Sequence, residues 1–180
     1  MDIAAQIETS VDRLLAESVS PDVLRACEAG TFPQNLSRAM DELGLHAALV
    51  SEEAGGFGLT WAELAPSFRL LGAHCCPLPV GEQVIARAAL DAAGIDTTDG
   101  NFAVSVRPGA MTGNAVPWVL GAGLADTLVV ENAVRGRAEV ATYRLADLTA
   151  SGTNTARTPA PIAPLAAPDL PRPVEATQHL

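Results

Sequence analysis

The chain has 180 residues, of which 48% are apolar, so it is long enough to bury a core of its own. Eleven basic residues, all Arg, stand against twenty-one Asp and Glu, and the formal net charge of -10 would repel a phosphate backbone, which argues against nucleic acid as a partner. Lysine is absent altogether, which removes Schiff-base and P-loop chemistry at the outset.

Three cysteines, Cys27, Cys75 and Cys76, form an odd set with a vicinal pair, a poor basis for a disulfide framework and a better fit to a reducing compartment. The opening Met1-Asp2-Ile3 lacks a basic stretch followed by an apolar run. No segment approaches the roughly 20 apolar residues of a membrane span. These features predict a soluble cytoplasmic protein with no membrane partner.

Along residues 2–17, Ile3, Ile7, Val11, Leu14 and Leu15 make one apolar stripe at helical spacing. Ser20-Pro21 supplies a capping hydroxyl and a proline at the first helical position of a short second helix that ends at Gly30. Leu36, Met40 and Leu43 mark a third helix, stopped near Gly44. The segment Glu52 to Gly58 holds three glycines in four positions and reads as a loop. Thr60 and Glu63 then form a capping-box signature for a helix carrying Trp61, Leu64, Phe68 and Leu71 on one side, with Pro66 inside it. A last helix is predicted from about Gly81 to Ala93, ended by Gly94.

After Asp96-Thr97-Thr98-Asp99-Gly100 the pattern turns to short β-type runs at Phe102–Val106, Val116–Leu120, Thr127–Val130 and Ala138–Leu145. Six prolines between Pro159 and Pro173 predict extended coil from Thr153 onward. The expected architecture is α+β: a helical bundle over 1–96, a small antiparallel β domain with its core over 97–152, and a proline-rich tail over 153–180 that completes or leaves the β domain.

The chemical motifs favour plain readings. In His74-Cys75-Cys76 adjacent side chains point apart, whereas zinc ligands are usually two to four residues apart with a second pair elsewhere. Gly121-Ala122-Gly123 resembles half of a dinucleotide loop, but Asp126 stands where a third glycine belongs and a strand follows. No nucleophile elbow accompanies His46, His74 or His179, which read as structural or solvated. Glu52 and Glu53 read as a solvated turn, and Trp61 and Phe68 as core.

A resemblance goes further. The run from Asp41 to Leu59, with Leu43-Gly44-Leu45 followed by Glu52-Glu53-Ala54-Gly55-Gly56-Phe57-Gly58, resembles the segment joining helices in the N-terminal domain of acyl-CoA dehydrogenases. Leu70-Leu71-Gly72-Ala73 and Pro77-Leu78-Pro79-Val80 are similar to that family's next helix and turn. In the β half, Val116 to Leu120 and Ala125-Asp126 before Thr127 to Val130 look like its middle domain. The resemblance implies FAD-dependent removal of hydrogens from Cα and Cβ of an acyl-CoA thioester, with a carboxylate as base. It also implies that the family's C-terminal helical domain, with the base, lies beyond this chain, so no catalytic residue is assigned here and no metal is implied.

By that likeness the flavin segments fall on Val106, Pro108, Trp118, Val119 and Leu120. The family's Thr-Glu-Pro is replaced by Val106-Arg107-Pro108 and its Trp-Ile-Thr by Trp118-Val119-Leu120, so two hydroxyls have become apolar. Losing two such contacts would cost about 1–3 kcal/mol for each buried partner left unsatisfied. This pattern resembles the heteromeric acyl-CoA dehydrogenases of bacterial steroid breakdown, which implies an acyl-CoA dehydrogenase-like partner subunit, FAD held only in the complex, and a bulky acyl-CoA substrate. A non-catalytic scaffold that no longer binds flavin is the alternative.

Overall fold

The computed structural model describes residues 2–97, 100–106, 119, 125–134, 137–150, 162–164 and 174–176. Among them, five α-helices come first: α1 (Ile3–Ser18), α2 (Pro21–Glu28), α3 (Gln34–Leu43), α4 (Trp61–Ala73) and α5 (Val80–Ala92). Six strands follow: β1 (Phe102–Val106), β2 (Thr127–Val134), β3 (Arg137–Arg144), β4 (Leu148–Ala150), β5 (Ile162–Pro164) and β6 (Val174–Ala176). The chain divides into two packing units, Met1–Val84 and Ile85–Leu180, so the division falls inside α5.

In the first unit α1 and α2 begin on side-chain caps and α3 ends on a glycine. The Asp2 side chain accepts the Ala5 amide at 3.2 Å at the start of α1, and Ser20 accepts that of Val23 at 3.3 Å at the start of α2, relieving amides that have no partner within the helix. Gly44, with φ of +76°, closes α3 in the left-handed conformation that costs glycine least. The α1 stripe delivers Ile7, Val11 and Leu15 to the core, where Leu36 and Met40 of α3 and Leu64 of α4 join them. Ile3, the first residue of the stripe, stays exposed at the helix end.

The glycine loop between α3 and α4 is a device of backbone packing. Phe57 donates its amide to the Ala47 carbonyl at 3.2 Å, Gly58 to Val50 at 2.8 Å and Leu59 to Ala48 at 2.9 Å, folding residues 57–59 back along 47–50. A Cβ on Gly56 would lie 2.2 Å from the Val50 carbonyl oxygen, a distance no side chain can occupy. Gly55, at φ +84°, ends the 3-10 turn Glu52–Ala54. Glu52 and Glu53 are exposed, as the solvated-turn reading expects.

Helix α4 opens on a reciprocal cap. The Glu63 amide donates to the Thr60 hydroxyl at 3.3 Å, and the Thr60 amide donates to the Glu63 carboxylate at 2.8 Å. The same Thr60 hydroxyl and amide hold the Glu63 carboxyl below the ordinary carboxylate range. The helix continues past Pro66. The expectation that Trp61 is core needs correction: it is 42% exposed, stacked on Phe68 with ring centroids 6.1 Å apart. As the first helical residue, it is a full turn ahead of Leu64, where burial in α4 begins.

In the second unit, Ala86, Ala89 and Leu90 of α5 pack with Phe102, Val129 and Val140. Ala103, Leu128 and Val130, from the alternate positions of β1 and β2, form a separate cluster with Val119. Arg87 of α5 donates to the carbonyls of Thr97 and, at 3.1 Å, Gly100, and its guanidinium lies 5.2 Å from the centre of the Phe102 ring. Arg87 thereby ties the connection to the start of β1.

The sheet runs in the order β1-β2-β3-β6, with β4 and β5 forming a separate pair. The β2/β3, β3/β6 and β4/β5 ladders are antiparallel, as expected for the small β domain, but β1 pairs β2 in parallel, from Phe102 opposite Thr127 to Val106 opposite Glu131. The sheet is therefore mixed, and the twenty residues of sequence between Val106 and Thr127 are enough for the crossover that a parallel pair needs. Within the tail read as coil, Ile162–Pro164 and Val174–Ala176 form short strands. Their positions suit a proline-rich segment, since β6 lies at the sheet edge and β5 pairs only with β4. The β-type run at 116–120 lies outside the described residues except for Val119.

Candidate functional site

Val106 is the last residue of β1, and its backbone is fixed by the parallel register with Glu131 of β2. Val119 is 1% exposed and packs in the apolar cluster with Ala103, Leu128 and Val130, so its side chain belongs to the core of the β unit. Pro108, Trp118 and Leu120 lie outside the described residues.

The side chains at these five positions offer a flavin a single hydrogen-bond donor. An isoalloxazine presents carbonyl oxygens and ring nitrogens that need hydrogen-bonding partners when taken out of water. Of the five residues, Val106, Pro108, Val119 and Leu120 carry no polar side-chain atom, and only the Trp118 indole could donate. Val119 is committed to apolar packing.

One polar residue near this region escaped the sequence reading. Ser105 is buried in β1 immediately before Val106, on the strand positions shared with Ala103 and opposite Val130 of β2. The two-residue spacing of Ala103 and Ser105 was the available signal, but a serine in a short apolar strand looks like an ordinary solvent-side residue until the strand is paired and its burial is seen.

The remaining polar candidates serve the helices. His46 lies 2.9 Å from the Asp41 carboxylate, and His74 lies 2.8 Å from Asp12, joining the end of α4 to α1. Burial pushes the thiols of Cys27 and Cys76 up from their ordinary range, with the Leu78 backbone opposing this at Cys76. Among the described residues, no three His, Cys, Asp or Glu side chains are grouped to hold a metal ion. No helix among them is long and apolar enough to cross a membrane.

The sequence profile of the acyl-CoA dehydrogenase N-terminal domain matches residues 2–97, more than half of the chain. The chain belongs to the acyl-CoA dehydrogenase family. No curated protein matches the sequence. Among solved structures, the chain is similar to the ChsE4-ChsE5 complex from Mycobacterium tuberculosis, with a TM-score of 0.69 and 18% identity over 98% of this chain and 58% of that one. It is similar to the HsaA monooxygenase from M. tuberculosis, at 0.68 and 18% over 96% of this chain and 53% of that one. A Tcur3481-Tcur3483 steroid ACAD variant gives 0.66 and 17%, over 96% and 56%.

These likenesses show the fold, and the chain spans between half and three-fifths of the length of those three neighbours. A monooxygenase stands among them, so the shared architecture does not by itself choose a reaction.

Proposed function

We propose that this chain is a component of a heteromeric, FAD-dependent acyl-CoA dehydrogenase that introduces an α,β double bond into a bulky acyl-CoA of steroid side-chain type. The partner, an acyl-CoA dehydrogenase-like subunit, supplies the polar flavin contacts, and the catalytic base comes from that partner or from a domain outside this sequence. The observation that carries this reading is the union of a family N-terminal domain over residues 2–97 with flavin-segment positions that offer one side-chain donor in five. Neighbours named as the ChsE4-ChsE5 complex and as a steroid ACAD support the heteromeric and steroid parts. The domain division that goes with it is 1–96 helical, 97–152 β core and 153–180 tail, and the end of the family match at residue 97 supports the first boundary. A cytoplasmic setting suits the three free cysteines.

The same scarcity of donors favours a second reading, a non-catalytic scaffold that retains the dehydrogenase fold for assembly. Co-expression with a candidate dehydrogenase partner separates the two. A yellow complex that oxidises an acyl-CoA, inactive when either chain is omitted, supports the subunit. A colourless complex that leaves the partner's own activity unchanged supports the scaffold. The purified chain alone is expected to bind no FAD by fluorescence titration, and stoichiometric retention of flavin on it would overturn both readings.

A further inference from the structure

We draw no further inference here: the strongest candidate, the half-covered apolar face of helix α2 formed by Val23, Leu24 and Cys27 with exposed Phe32 in the turn beyond it, carries none because nothing in the structure shows what covers it.

Discussion

The helical unit and the β unit reach stability by different routes. In the first, capping side chains, left-handed glycines and helical stripes act over a few residues, and one core gathers the result. In the second, the β1/β2 ladder joins segments 25 residues apart in sequence, Phe102 to Thr127, and two apolar clusters depend on pairings that no local signal specifies. Local order can form early and cheaply, whereas distant pairing must first meet the entropy of closing the loop between the strands. The positions that the family resemblance assigns to flavin, Val106, Pro108, Trp118, Val119 and Leu120, belong to the second, costlier unit.

The largest expected effects test whether the two units are energetically separate. Leu64→Ala in the helical core and Leu128→Ala in the β core remove fully buried side chains, each costing about 2–5 kcal/mol. Hydrogen exchange resolved by segment should show each variant loosening its own unit first. Uniform loosening of both by either variant would make the chain one cooperative body and end the comparison.

Gly56→Ala is expected to cost about 3 kcal/mol, the upper range for overpacking, because the added methyl meets the Val50 backbone and no flexible side chain can yield. Chemical denaturation would measure it, and a change below about 0.5 kcal/mol, the scale of an ordinary surface substitution, would show that the loop has an alternative path. In the β unit, Arg87→Met retains much of the aliphatic bulk but removes the donors to Thr97 and Gly100, at about 2 kcal/mol. Faster amide exchange at 101–106 with little change in α1 is the expected signature.

The smallest effect is alkaline. Burial raises the pKa of Cys76 in the helical unit and of Tyr143 in the β unit above their ordinary values, so each folded form holds its proton more tightly than the unfolded chain does. Their contribution is complete below the unfolded values and is lost as pH rises toward the folded ones. Stability should therefore decline first through the thiol range, from about pH 8.5, and then through the phenol range near pH 10. Cys76→Ala should shrink the first decline to the part that Cys27 contributes and leave the second, as read from melting temperature against pH.

The candidate site was less legible than the fold around it. Residue types alone show that the side chains of Val106, Pro108, Val119 and Leu120 carry no polar atom, which holds in any conformation. The burial of Val119 and Ser105 was not visible, since it depends on which strand face meets the second cluster. Trp61 shows the same limit: helical spacing placed it with Leu64 and Phe68, but its position at the helix start leaves it stacked at the surface.

What the sequence determined by itself was set by interactions between near neighbours: the Thr60 and Glu63 cap, the glycine stops, the helical stripes, and the loop motif that marks the family. Only the tertiary structure decided that Gly56 must lack a side chain because the Val50 carbonyl lies against it. The parallel direction of β1 on β2, and the two faces of the sheet, were decided there as well. The physical reason is range: a cap or a stripe is completed within a turn or two of chain, whereas a close approach or a strand register exists only once distant segments have met.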